Sequence, residues 1–287
     1  MVGAAGGFYK VRTPEGKLFR CRPRGRLKLA EQDIYVGDNA VFTAIGENEG
    51  VIERIQARRS LLVRPPVANI EQVVIVCSLR EPPLSLHFLD RLLVLAESRR
   101  LLAAICVNKI DLPGENSPQQ FDIYRKAGYS VIAASARTGH GISDLYRQLC
   151  NKISVFAGQS GTGKSSLINC LQKDVKQKTG SISDKRKIGR HTTRQVSLIP
   201  LACGGYVADT PGFSRIALSD IESTELDHCF PEFLPYLQNC RFNSCRHVDE
   251  PGCAVKDAVR QEIIAPTRYI NYLSFYKTIK EQERRKK

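Results

Sequence analysis

The sequence predicts a multi-domain chain in three parts: a small β-barrel, a central α/β layer built on a parallel sheet, and a mainly helical C-terminal segment. Three observations predict it. Short β-rich runs broken by turn signals fill residues 1–62, and continuous apolar runs alternating with helix-periodic stretches fill 63–218. From 219 to 287 the pattern changes again, to acidic helix starts that flank a bunch of three cysteines and a histidine. A chain of 287 residues can hold two or three such domains and bury their cores without disulfides.

The barrel comes first. Runs 8–13, 18–22, 38–44 and 51–55 are separated by Pro14-Glu15-Gly16, Val36-Gly37 and the stretch 46–50, which are turn signals. Strands this short and this evenly spaced close on themselves. Between Lys10 and Lys28 there are eight basic residues against one acid, with Phe8, Tyr9 and Phe19 among or beside them. That composition suits a groove that tracks a phosphate backbone and stacks bases; it also suits a solvated face whose aromatics are core. The whole chain carries a formal charge of +14, from 43 Lys and Arg against 29 Asp and Glu, which attracts polyanions. Nucleic acid is the commonest of these and acidic lipid the competitor, and charge alone does not separate them.

Arg58-Arg59-Ser60 and Arg64-Pro65-Pro66 close that domain, and Val73-Val74-Ile75-Val76-Cys77 opens the next. A helix over 88–99, strands over 102–107 and 131–134, a helix over 142–149 and a strand over 153–157 follow in alternation. This is the pattern of a doubly wound sheet that binds ligands at the carboxyl ends of its strands. The last of those strands runs into Gly158-Gln159-Ser160-Gly161-Thr162-Gly163-Lys164-Ser165, with Ser166 and helix-periodic apolar residues after it. Strand, glycine-rich loop and helix in that order make a phosphate-binding loop. Backbone N–H groups and the helix dipole face the phosphates, Lys164 reaches the β and γ phosphates, and Ser165 offers its hydroxyl to Mg²⁺.

Other motifs sit where such a sheet would place them. Asn108-Lys109-Ile110-Asp111 follows a strand, and the Asp111 carboxylate there can accept both the ring N–H and the exocyclic amine of guanine, which adenine does not offer. Ser135-Ala136-Arg137 follows the next strand and can present a backbone N–H to the guanine carbonyl. Asp209-Thr210-Pro211-Gly212 ends a third strand: Asp209 can hold Mg²⁺ through water, and the Gly212 N–H can sense a γ-phosphate. Between them Gly189-Arg190-His191-Thr192-Thr193 lies in a segment with eight Lys and Arg, which reads as a switch loop. Thr192 or Thr193 would close over the metal.

In the C-terminal part, Cys240, Cys245, His247 and Cys253 fall within fourteen residues and meet the tetrahedral demand of one structural Zn²⁺. Arg241 and Arg246 beside them offer a basic contact for RNA. The remaining cysteines, Cys21, Cys77, Cys106, Cys150, Cys170, Cys203 and Cys229, are scattered and read as small hydrophobes, with disulfides the weaker reading. There is no apolar run of about eighteen residues and no charged start followed by a long apolar core, so the expectation is a cytoplasmic chain with no membrane partner. A helical tail over 268–287 ends in Arg284-Arg285-Lys286-Lys287, either a solvated end or a phosphate contact.

In ordinary G proteins the phosphate loop comes first and the guanine-reading loop last. Here Asn108 and Ser135 precede Gly158, which precedes Thr192 and Asp209, so the G domain is circularly permuted. A P-loop kinase or ATPase would have no use for Asp111, and an RNA-binding zinc protein with a relic nucleotide site would lose Lys164, Ser165 or Asp209. With Gly7-Phe8-Tyr9, Arg20-Cys21-Arg22, Arg64-Pro65-Pro66-Val67-Ala68-Asn69, the G motifs, the 189–193 segment and the cysteine cluster, nearly the whole chain resembles the RsgA/YjeQ family of circularly permuted GTPases. The resemblance implies an OB-fold β-barrel over 1–62, a circularly permuted P-loop GTPase domain over 63–218 and a zinc-binding domain over 219–287. It further implies a clamp on 16S rRNA of the small (30S) ribosomal subunit, released late in assembly when GTP becomes GDP, by a chain that is a monomer when free. A non-ribosomal RNA-binding GTPase is the alternative. Phe213 stands where many G proteins carry a water-orienting glutamine, so His191 is the candidate catalytic residue, as in the resembled family; otherwise it contacts RNA or folds the loop.

Overall fold

The computed structural model describes residues 1–25, 33–63, 66–113, 118–179, 197–209 and 218–286. In chain order the elements are β1 (Gly3–Ala5), β2 (Phe8–Arg12), β3 (Leu18–Pro23), β4 (Ala40–Ala44), β5 (Glu49–Ile55), β6 (Leu61–Val63), β7 (Pro66–Ala68), β8 (Gln72–Ser78), α1 (Leu86–Glu97), β9 (Leu102–Asn108), α2 (Asp122–Lys126) and β10 (Ser130–Ala133). They continue with α3 (Ile142–Leu149), β11 (Ile153–Ala157), α4 (Lys164–Thr179), β12 (Ser197–Pro200), β13 (Tyr206–Asp209), α5 (Ala254–Arg260) and α6 (Pro266–Lys286). Contacts divide the chain into two compact units.

The first unit gathers Met1–Gln72, Ile142–Phe156 and Ser165–Phe213. Its strands lie in the order β11-β13-β12-β1-β2-β3-β5-β4, with β11 parallel to β13 and β3 parallel to β5. Period-two alternation sets the faces of β3: Phe19 and Cys21 are buried while Leu18, Arg20 and Arg22 are exposed. Phe19, Cys21, Met1, Val11 and Ile52 form a core that Tyr9, Ala40 and Phe42 flank. On the exposed face the Arg20 and Arg22 guanidiniums cover the Phe8 ring at 3.6 and 4.3 Å, so Phe8 holds the basic face rather than the core. The strand expected from residue 38 begins at Ala40, because the Asp38 carboxylate turns the chain by accepting from Tyr35 N and from Arg58. The three- and four-residue strands β1 and β12 have no sequence signal of their own; each is fixed by pairing with its neighbours, Gly3 opposite Ser197 among them.

The scattered cysteines divide. Cys21, Cys77, Cys106 and Cys229 are buried, as small hydrophobes should be. Cys150 and Cys203 form a disulfide, contrary to expectation: the turn after α3 and the turn between β12 and β13 meet and bring their Cα atoms to 5.2 Å.

The second unit gathers Val73–Gly141, Ala157–Lys164 and Ser214–Lys287, and its strands lie in the order β10-β9-β8. β9 and β10 are parallel, and β8 is buried along its whole length, which its unbroken apolar run encodes. α1 begins at Leu86, two residues before the apolar periodicity suggests, because the Ser85 hydroxyl caps it by accepting from Phe88 N at 3.2 Å. Short 3₁₀ helices at Leu226–Cys229 and Pro231–Asn239, with α5 and α6, carry the C-terminal residues. Among the described residues no helix is long and apolar enough to cross a membrane.

Candidate nucleotide and metal sites

β11 ends at Ala157 and α4 starts at Lys164, so the glycine-rich loop spans the strand-to-helix turn that its sequence predicts. The loop folds on itself. Lys164 Nζ donates to the carbonyls of Gly158 and Gln159 at 2.9 and 2.6 Å, and Thr162 Oγ1 donates to Gln159 O at 3.0 Å. Burial lowers the Lys164 pKa from its ordinary 10.5. Gly163 has φ +89°, and a Cβ on it would stand 2.3 Å from Asn108 Nδ2, so only glycine fits. Ser165 and Ser166 are exposed in the first turn of α4 and Ser160 and Gly161 at the loop tip, while Gly158 is buried.

Asn108 ties this loop to the other two. Its Nδ2 donates to Thr162 O at 2.8 Å, and its Oδ1 accepts from Ala136 N at 3.1 Å. One buried side chain thus clips the loop after β9, the loop after β10 and the phosphate loop together. Lys109 takes the left-handed region, φ 62°, and its Nζ donates to Glu81 O at 2.6 Å. Asp111 has its carboxylate fixed by the buried Ser135, whose hydroxyl donates at 2.6 Å while accepting from Thr138 N at 3.1 Å. That bond is the main reason the Asp111 carboxyl is held below the usual carboxylate range, with Arg137, 3.7 Å away, and Lys109 adding to it. A single ionised acceptor in fixed orientation is what guanine's adjacent donors require. Sequence reasoning gave Ser135 to the loop that faces the base and missed that its hydroxyl orients Asp111.

Asp209 closes β13, beside β11 in register, Val155 opposite Ala208. His191, Thr192, Thr193 and Gly212 lie outside the described residues.

At the second site, the ligand atoms of Cys240, Cys245, His247 and Cys253 lie within 4.8 Å of one another, and the last three residues are buried. His247 turns Nδ1 toward the thiols, 3.6 Å from Cys240 Sγ and 3.3 Å from Cys253 Sγ. Its Nε2 faces the buried Asp227 carboxylate at 3.5 Å, and its backbone takes φ 57°. Tyr269 and Tyr272 donate to the carbonyls of His247 and Arg246, both at 2.7 Å, and hold the loop in place. Three sulfurs and one nitrogen with a carboxylate behind the imidazole are the donor set and outer support of a structural zinc ion, and the cluster is compatible with one.

Two family models match the chain: one described as RsgA GTPase over residues 55–219, and one described as RsgA N-terminal domain over 1–52. The chain belongs to the RsgA GTPase family. As a member it is a GTPase, acting on a guanine nucleotide with Mg²⁺ as such enzymes do. The "Small ribosomal subunit biogenesis GTPase RsgA" of Caldanaerobacter subterraneus is 44% identical over 287 residues, covering 100% of this chain and 97% of that one. The protein of the same name from Geobacillus thermodenitrificans is 48% identical over 289 residues, covering 99% and 98%. Among solved structures, YjeQ from Thermotoga maritima superposes with a TM-score of 0.84 at 37% identity, covering 97% of this chain and 96% of that one. YloQ, titled a circularly permuted GTPase, does so with 0.84 at 36% identity, covering 98% and 94%. The fold is that of the circularly permuted GTPases, as the motif order predicts.

Proposed function

We propose that this chain is a GTPase of small ribosomal subunit biogenesis: it binds the 30S particle through 16S rRNA late in assembly, and hydrolysis of GTP to GDP and phosphate releases it. The observation that carries the reading is the Asn108 clip, which joins the guanine-reading loop to the phosphate loop although the chain meets them in reverse order. Full-length relatives that bear the small-subunit name support the partner.

The roles follow from the chemistry of each group. Backbone N–H groups of Gly158, Gln159, Ser160, Gly161, Thr162 and Gly163 cradle the phosphates. Lys164 gives up its bonds to the loop carbonyls and takes the β and γ oxygens. Ser165, Asp209 and one of Thr192 and Thr193 would hold Mg²⁺, which would supply positive charge against the phosphates; Ser166 and the Gly212 N–H would complete the contacts. Asn108, Lys109, Ser135 and Ala136 frame the base and Asp111 selects guanine. His191 positions the attacking water, a task the Phe213 ring cannot perform.

We assign residues 1–62 to an OB-fold barrel, 63–218 to the GTPase domain and 219–287 to a mainly helical domain closed by one structural Zn²⁺ on Cys240, Cys245, His247 and Cys253. The strand order β1-β2-β3-β5-β4, with β3 and β5 parallel, supports the OB-fold, and the Arg20-Phe8-Arg22 face supports its use for RNA. The working state is a cytoplasmic monomer.

The test is the GTPase rate with and without purified small subunits. Stimulation by at least tenfold, abolished in Lys164→Ala, is expected. A ratio near one removes the ribosomal reading and leaves the GTPase standing.

A further inference from the structure

Cys150 and Cys203 are 53 positions apart in sequence, yet their Cα atoms stand 5.2 Å apart, inside the span a disulfide bridges without backbone movement. The scaffold sets that separation. Cys150 follows α3, and Cys203 lies in the turn from β12 to β13. Hydrogen bonds hold the two turns together: Tyr206 N donates to Lys152 O at 2.8 Å and Cys203 N to the Tyr146 hydroxyl at 3.0 Å, while Leu201 N closes its own turn on Gly205 O at 2.8 Å. Gly205 permits the approach, since a Cβ there would stand 2.2 Å from Leu149 O. Both cysteines are partly exposed. In contrast Cys77 and Cys106 are buried, and burial pushes the Cys106 thiol up to about 12, where it does not react.

We propose that Cys150 and Cys203 are a redox modification site, closed by hydroperoxides and reopened by small thiols. One thiolate attacks the peroxide, breaking its O–O bond to give a sulfenic acid and an alcohol, or water when the oxidant is hydrogen peroxide. The second thiolate then attacks the sulfenic sulfur, forming the S–S bond and displacing hydroxide, which leaves as water. The two thiols together lose two electrons and two protons, and the peroxide takes them up. A small thiolate reverses the step by attacking one sulfur, and a second thiol clears the mixed disulfide. In a reducing compartment the bond is therefore conditional. When closed, it ties residues 151–202, with the phosphate loop and α4, into one covalent loop and pins β11 and β13 at their N-terminal ends, where Ile153 lies opposite Tyr206. None of this depends on the ribosomal partner.

The experiment treats the full-length reduced chain, zinc present, with stoichiometric hydrogen peroxide. It is alkylated and digested for mass spectrometry, and its thermal unfolding is recorded. The expected product is one peptide pair joined through Cys150 and Cys203, two hydrogens lighter than the separate thiols and separated again by dithiothreitol. The oxidised chain should melt roughly 5–10 °C higher than the reduced one. Cys203→Ser, or Cys203→Ala should the serine variant fail to fold, takes neither the link nor the shift. Recovery of Cys150 and Cys203 as singly alkylated or singly oxidised residues after peroxide overturns the proposal, as does a link that leaves the melting temperature unchanged.

Discussion

Asp111 has two oxygens with different duties. One accepts from the Ser135 hydroxyl at 2.6 Å, which fixes the plane of the carboxylate, and guanine's paired donors then find an oriented acceptor. Asp111→Asn replaces an acceptor by a donor, so guanine nucleotide affinity should fall by about a hundredfold while xanthosine nucleotides, which carry a carbonyl at that edge, gain. Equal binding of guanosine and xanthosine diphosphates by the unaltered chain in calorimetry would contradict the role of Asp111. Lys164 supplies a pH test. Burial lowers its pKa below 10.5, so the ammonium that phosphate needs is lost as pH rises through that depressed value, earlier than for an ordinary lysine. GDP affinity should therefore begin to weaken below pH 10.5; a flat titration up to that point would count against it. Residues with local signatures were legible: Gly158 through Ser165 and Asn108 through Asp111 announce themselves within eight and four positions. The Ser135 hydroxyl on Asp111 was not, because it joins positions 24 apart through two adjacent parallel strands.

At the scale of elements, α6 meets α1 and the Pro231–Asn239 helix through one buried cation. Arg268, 1% exposed, donates to Asp90 Oδ1 at 2.8 Å and to both Glu232 oxygens at 2.6 and 3.1 Å. Tyr124 and Asn271 also donate to Asp90, at 2.7 and 2.6 Å, so both of its carboxylate oxygens accept. Arg268→Leu leaves the buried Asp90 and the partly buried Glu232 without a counter-charge, and should cost about 3–5 kcal/mol, read as a lower chemical-denaturation midpoint. Exposed pairs such as Arg125 with Asp122 are worth far less, so Arg125→Ala is the control and should change the midpoint little. A midpoint equal for both variants would show that the buried cluster is not what joins these elements. The sequence placed helices at α1 and over 268–287, but it left the Pro231–Asn239 helix unread and read Arg268 only as the start of a helical tail. Its partner on α1 lies 178 positions earlier, and no periodicity within α6 shows which polar residue turns inward. Strands behaved the same way: β8 and β9 follow from apolar runs, while β1 and β12 exist only by pairing.

For the whole molecule the permutation is the organising fact. It puts Asn108 and Ser135 ahead of Gly158 in the chain, and the folded protein still closes them on one loop through the Asn108 bonds to Thr162 and Ala136. In chain order Asp209 precedes the Cys240, Cys245, His247 and Cys253 cluster, and the basic strands β2 and β3 precede β8. In the proposed function nucleotide state controls a grip that the two flanking modules share. Salt should weaken that grip steeply, as it does for any contact made largely to phosphates. The direct test is co-sedimentation of the chain with purified small ribosomal subunits at fixed ionic strength, in a non-hydrolysable GTP analogue and in GDP. Retention with the analogue and release with GDP, a difference of at least tenfold in affinity, is the predicted result. Equal retention in the two states would contradict it.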